Sequence, residues 1–249
     1  MDYEILGGSF PIVECTLKNG ESMITQSGSM AYMDPTITME TSSNGGLKKI
    51  VGRLFTNEKL FQNIYTSNKD GSKIAFGTCV PGSIKAIKLE KGQTVICQKS
   101  SFLASYGDIE LATFFNKKIG AGIFGGEGFI MQKITGDGIV FIEIDGESKE
   151  FELAEGQQLI LSTGYLVSMD ETCSIDVQTV KGLKNIILGG EGIFNTVITG
   201  PGKVTVQTMP LPRLANSIVP YLPTTGSGSA SSGNDAVDAA TSIMKMFRK

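Results

Sequence analysis

The chain has 249 residues, 41% hydrophobic and 19% charged, a balance that excludes an intrinsically disordered protein. Its formal net charge of −3 excludes the basic footprint that a nucleic-acid backbone calls for. It contains no histidine, which excludes Ser-His-Asp and Cys-His catalysis and zinc sites built on imidazole.

The first twenty residues carry Asp2, Glu4 and Glu14 and lack a basic start followed by an apolar core, so no signal peptide is predicted. No apolar run approaches the roughly 20 residues that span a bilayer. The expectation is a soluble, cytoplasmic protein. Cys15, Cys79, Cys97 and Cys173 are scattered, form no Cys-x-x-Cys, and each lies inside an apolar or alternating run. They read as buried small hydrophobes rather than redox or metal groups.

In chain order, Val13, Cys15 and Leu17 alternate with polar neighbours, the mark of a strand with one face inward. The strand enters an eight-residue pattern, Leu17-Lys18-Asn19-Gly20-Glu21-Ser22-Met23-Ile24. Gly28, the apolar stretch Met30-Ala31-Tyr32 and the pair Met33-Asp34 follow. A short connecting helix is predicted around Leu47 to Leu54. A second landmark, Phe55-Thr56-Asn57-Glu58-Lys59-Leu60-Phe61, precedes a strand from Lys73 to Phe76.

The same order then returns. Lys85, Ile87 and Leu89 lead into Leu89-Glu90-Lys91-Gly92-Gln93-Thr94-Val95-Ile96, followed by Phe102-Leu103-Ala104 and a predicted short helix from Ile109 to Lys117. The landmark recurs as Phe124-Gly125-Gly126-Glu127-Gly128-Phe129-Ile130. Ile134-Thr135-Gly136-Asp137-Gly138 and a strand from Ile139 to Ile144 come next. Asp137-Gly138 and Asp145-Gly146 have the composition of hairpin turns, because glycine accepts the positive φ such turns require.

A third pass brings Lys149, Phe151 and Leu153, then Leu153-Ala154-Glu155-Gly156-Gln157-Gln158-Leu159-Ile160. Gly164, Leu166-Val167-Ser168 and Met169-Asp170 follow, then Leu188-Gly189-Gly190-Glu191-Gly192-Ile193-Phe194. Ile198-Thr199-Gly200-Pro201-Gly202 leads to a strand from Lys203 to Gln207. A fixed period of this kind implies one copied unit. It predicts an all-β chain of three pseudo-threefold units of some six or more short strands each, with few short helices.

The predicted boundaries are residues 1–76, 77–144 and 145–210, a Pro/Gly/Ser-rich linker at 211–233, and a possible short amphipathic helix at 234–249. Each unit buries little apolar surface alone, so the three are expected to pack together. The terminal helix, with Val237, Ala240, Met244 and Phe247 on one face, is marginal alone, so docking on the chain's own body, on a protein partner or on a membrane surface, or fraying, are all open.

Gly120-Ala121-Gly122-Ile123-Phe124-Gly125 matches a dinucleotide-binding G-x-G-x-x-G, but it leads into a predicted strand rather than a helix, so it reads as a structural loop. The repeated Glu58, Glu127 and Glu191 are the sharpest polar candidates. A ring of such carboxylates would suit a hard cation, while their recurrence in glycine-rich turns favours a structural part. The pairs at Gly20, Gly92 and Gly156 carry Glu or Gln interchangeably, so charge there is dispensable. Gly138 and Gly202 are further turn glycines. No catalytic residue, cofactor or metal ligand is assigned.

Gly125-Gly126-Glu127-Gly128-Phe129, Arg53-Leu54-Phe55-Thr56-Asn57-Glu58-Lys59-Leu60-Phe61, Pro81-Gly82-Ser83-Ile84 and Ser101-Phe102-Leu103-Ala104 together resemble the altered-inheritance-of-mitochondria family over residues 1 to 210. The resemblance implies three subdomains, each like a subunit of the trp RNA-binding attenuation protein, a short double-stranded β-helix or β-sandwich. It also implies that three chains form a ring of nine subdomains. RNA binding does not carry over to an acidic chain without repeated Lys or Arg in these motifs. The resulting expectation is a non-enzymatic, homotrimeric scaffold or interaction protein. A ring that binds a small molecule or metal ion between subdomains is the alternative, and a histidine-independent hydrolase comes third.

Overall fold

The computed structural model describes residues 1–26, 28–42, 62–117, 129–179, 194–218 and 221. These residues form an all-β structure of sixteen strands in three sheets, with one short helix near the end.

The chain opens on a hairpin of β1 (Asp2–Leu6) and β2 (Ile12–Leu17), paired from Asp2↔Thr16 to Leu6↔Ile12. Alternation sets the faces of β2: Val13, Cys15 and Leu17 are fully buried while their neighbours are not. β3 (Ser22–Gln26), β4 (Met30–Met33), β5 (Ile37–Ser42), β6 (Gln62–Ser67) and β7 (Ser72–Gly77) follow. One sheet has the order β1-β2-β7-β4. In the other layer β6 lies between β3 and β5.

The middle of the chain departs from the expected short strands. It consists of three long ones: β8 (Gly82–Gln98), β9 (Phe102–Lys117) and β10 (Phe129–Asp145). Glycines let them run through without a break. Around Gly92 (φ +83°) β8 shifts register against β10, where Gln93 faces Gly136 and Leu89 faces Gly138. Opposite, Gly107 of β9 has φ +99°, and the backbones come so close that a Cβ on Gly138 would lie 2.1 Å from the Tyr106 carbonyl oxygen.

Two expectations fail here for that reason. Asp137-Gly138 is not a hairpin turn but lies inside β10, where glycine serves close approach. Ile109 to Lys117 is not a helix but the second half of β9, and Ile109 and Leu111 enter the core. The predicted helix at Leu47 to Leu54 lies outside the described residues. Asp145-Gly146 does form a turn, with Gly146 at φ +77° between β10 and the next strand.

Six short strands complete the structure: β11 (Ser148–Leu153), β12 (Gln158–Ser162), β13 (Leu166–Asp170), β14 (Ser174–Thr179), β15 (Phe194–Thr199) and β16 (Gly202–Gln207). β12-β15-β14 form a separate sheet, while β11, β16 and β13 extend the central one, whose order is β11-β16-β13-β8-β10-β9-β3-β6-β5. The helix α1 (Leu211–Ile218) begins where a linker was expected. Its first N–H, on Leu211, donates to Asp145 Oδ2 at 2.7 Å, which satisfies one of the donors a helix start leaves open.

Three apolar clusters form the core, and each draws on neighbouring parts of the chain. Phe76, Met23 and Tyr65 pack with Ile84, Leu103 and Phe141 of the long strands. Ile96, Phe129 and Met131 of the long strands pack with Leu166, Ile198 and Val204. Ile109, Ile134, Ile142 and Val167 form the third. Cys15, Cys97 and Cys173 are buried as expected, but Cys79 is exposed, since it sits in the connection after β7 rather than on an inward strand position.

Candidate functional site

The eight-residue pattern forms the same local structure in all three places. Gly20, Gly92 and Gly156 have φ of +83°, +83° and +71°, and the next residue turns its side chain back on the backbone. Glu21 Oε2 accepts from the Lys18 N–H at 2.9 Å, Gln93 Oε1 from Glu90 at 2.8 Å, and Gln157 Oε1 from Ala154 at 3.0 Å. A carboxylate and an amide oxygen serve equally as acceptors, which accounts for the interchange of Glu and Gln. Gly202, at φ +139°, opens β16 against Thr172 and Cys173.

A second local structure also recurs three times. One residue is bulged out of register in the apolar stretch: Ala31 between Met30 and Tyr32, Leu103 between Phe102 and Ala104, Val167 between Leu166 and Ser168. The strands that follow these two features meet. β3 pairs antiparallel with β9 through Met23↔Tyr106, Ile24↔Ser105 and Thr25↔Ala104. β8 pairs with β13 through Val95↔Asp170, Ile96↔Met169 and Cys97↔Ser168.

At the first joint Tyr106 Oη donates to Glu21 Oε1 at 2.7 Å. That hydrogen bond, with burial, pushes the Tyr106 phenol up to about 12. Burial opposes ionisation of Glu21, but the hydrogen bonds from the Lys18 N–H and the Tyr106 hydroxyl outweigh it and hold the carboxyl below its ordinary value.

β4 and β12 carry the same two features, yet no described strand pairs with their outer edges. Leu159, Leu161 and Met33 on them pack partly against the core, but other apolar side chains are left in solvent. Ile24 and Ile96 are 4% and 0% exposed, while Ile160, at the same place in the pattern, is 64% exposed. Met30 is 36% and Tyr32 44% exposed, whereas Phe102, Ala104, Leu166 and Ser168 are buried. The Tyr32 hydroxyl donates to Glu14 Oε2 at 2.6 Å, and Lys73 Nζ holds the other oxygen at 2.6 Å. The Lys73 and Tyr32 hydrogen bonds keep the Glu14 carboxyl below its ordinary value.

Beyond the edges the chemistry is sparse. An open cleft of about 240 Å³ is lined by Asp34, Thr36, Lys69, Asp70 and Ser72. Its carboxylates already hold turns together: Asp34 Oδ2 accepts from the Lys73 N–H and Asp70 Oδ1 from the Asn19 N–H. Glu143 is buried, and burial pushes its carboxyl up despite the 2.6 Å hydrogen bond it accepts from the Cys79 N–H. Burial also raises Asp145. No group of three or more potential metal ligands occurs among the described residues. Glu58, Glu127 and Glu191, and the segment 234–249, lie outside the described residues. No helix among the described residues is long and apolar enough to cross a membrane.

Comparison with known proteins gives the lineage. The family model described as mitochondrial biogenesis AIM24 matches residues 3–209, from the first strand to the end of the last. The chain belongs to the AIM24 family. An uncharacterised protein of Streptococcus pyogenes serotype M6 is 31% identical over 223 residues, covering 86% of this chain and 88% of its own length. The X-ray crystal structure of a Streptococcus pyogenes protein superposes with a TM-score of 0.71 at 26% identity, covering 89% of this chain and 99% of that one. None of the names attached to these AIM24 relatives specifies a ligand, a reaction or an assembly.

Proposed function

We propose that this AIM24-family protein is a non-enzymatic, cytoplasmic, homo-oligomeric scaffold built from three copies of one β unit. The carrying observation is the exposure of Ile160, Met30 and Tyr32 on strands whose pattern-equivalents are joined and buried elsewhere in the chain. Strand edges left open and bearing apolar residues are templates for pairing with another chain. The recurring glycine turn, the recurring bulge and the shared strand orders β2-β7-β4 and β11-β16-β13 support the copied unit. Three chains per particle is the number implied by the family resemblance.

Native mass spectrometry of the full chain at micromolar concentration tests the reading. A single species at three times the monomer mass is expected, and a clean monomer refutes it. A ring binding small molecules or metal ions gains no support from the cleft at Asp34 and Asp70, whose polar groups are engaged in holding turns.

A further inference from the structure

We infer that the partner of β12 is β4 of a second copy of this chain, antiparallel, with Leu161 opposite Tyr32, Ile160 opposite Met33 and Leu159 opposite Asp34. The inference rests on the self-association proposed above and adds to it which edges meet, in which register and with what polarity.

The register follows from the two joints inside the chain. In each, the last two residues of the eight-residue pattern and the one after it face three residues that begin at the residue beyond the bulge. Met23, Ile24 and Thr25 face Tyr106, Ser105 and Ala104. Val95, Ile96 and Cys97 face Asp170, Met169 and Ser168. The pattern places Leu159, Ile160 and Leu161 where Met23, Ile24 and Thr25 stand. The bulge places Asp34, Met33 and Tyr32 where Tyr106, Ser105 and Ala104 stand. The one set of joining residues left without a partner strand at the end of the described structure thus matches the one left at its beginning.

The edges also match in character. Both expose apolar side chains, and β12 (Gln158-Leu159-Ile160-Leu161-Ser162) has none of the charged residues that natural sheets use to protect an edge. By contrast β11, at an end of the central sheet, carries Lys149, Glu150 and Glu152. Because β4 and β12 are different surfaces, the contact is head-to-tail, and it must close into a ring or continue as a filament. A joint of β4 with β4 would be isologous and would leave β12 unused.

Disulfide trapping tests the register. Cβ atoms of directly opposed strand residues lie close enough for a disulfide, while a shift of one residue turns the side chain to the other face. In a Cys79→Ser background, Tyr32→Cys and Leu161→Cys are made separately, mixed under conditions that allow subunit exchange, and oxidised. A disulfide dimer is expected in the mixture and in neither variant alone. The double variant should give covalent species that stop at the particle size. Tyr32→Cys mixed with Ile160→Cys is the out-of-register control and should give at least tenfold less dimer. Cross-linking of Tyr32→Cys with itself overturns the assignment, as does equal trapping by the control. Native mass spectrometry of the same samples separates the outcomes. Oligomers without the expected disulfide refute the edges and leave the scaffold reading standing, whereas monomers refute both.

Discussion

Alanine at Gly138 and alanine at Gly92 should have very different consequences, although both glycines stand in turn-like sequence. At Gly92 a Cβ meets nothing within 4 Å, so the cost is confined to holding an L-residue at φ +83°. That conformation costs about 1 kcal/mol. At Gly138 the Cβ would sit 2.1 Å from the Tyr106 carbonyl oxygen and 3.1 Å from Gly107 Cα. Ordinary contact begins near 3.4 Å, so two paired backbones must separate by more than an ångström. Overpacking typically costs about 1–3 kcal/mol. The obstacle here is backbone in the middle of a sheet, which places Gly138→Ala at about 3 kcal/mol or above. For a chain of this size about 1 kcal/mol corresponds to roughly 2–4 °C in Tm. Thermal melts followed by far-ultraviolet circular dichroism, at one protein concentration and scan rate, should show Gly92→Ala about 3 °C and Gly138→Ala about 10 °C below the parent. Equal losses in the two variants would refute the distinction between conformational and close-approach glycines.

The Glu21 carboxylate holds a proton on Tyr106, so Glu21→Gln should move that phenol from about 12 toward its ordinary value, read by phenolate absorbance with Tyr106→Phe as the assignment control. Because the phenol is raised on folding, its contribution to stability is complete below pH 10 and is lost as pH rises toward 12, so the variant should show a shallower alkaline decline. Burial raises Glu143 and Asp145 in the folded state, so their contribution is greatest at acidic pH and lost as pH rises through the raised values. Glu143→Gln should therefore flatten that decline in a pH series of melting temperatures; an unchanged profile would count against the burial argument. Burial pushes the thiols of Cys15 and Cys97 up to about 12, while Cys79 is exposed, although partial burial raises its thiol as well. Peptide mapping after brief iodoacetamide treatment should find Cys79 modified first and all four only after unfolding. Modification of Cys97 at the same rate as Cys79 would contradict the fold.

Much of the local structure was legible because its causes lie within a few residues. Alternation at Val13, Cys15 and Leu17 gave β2, and Gly20, Gly92 and Gly156 marked the places where the backbone turns left-handed. The exchange of Glu for Gln after these glycines pointed to an acceptor rather than a charge, as the hydrogen bonds to Lys18, Glu90 and Ala154 now explain. What was misread depended on distant neighbours. Asp137-Gly138 has the composition of a hairpin turn, but pairing with Asp108 and Gly107, some thirty residues back, keeps it in a strand. Ile109 to Lys117 has no glycine or proline to separate strand from helix, and its ladder with β10 decides for strand.

By itself the sequence determined that the chain is rich in strands, that one eight-residue glycine motif occurs three times, and that no histidine chemistry operates. These follow from side-chain period, glycine stereochemistry and composition, which act locally. Only the tertiary structure decided that the middle strands run unbroken within the central sheet, that Cys79 faces solvent, and that the outer edges of β4 and β12 meet no strand among the described residues. Each of these depends on which strand lies beside which, and a backbone hydrogen bond carries no record of the side chain that will stand across from it. The exposure of Ile160 shows the difference: an isoleucine like Ile24 and Ile96 in sequence, it is set apart by an outer strand edge that no described strand covers.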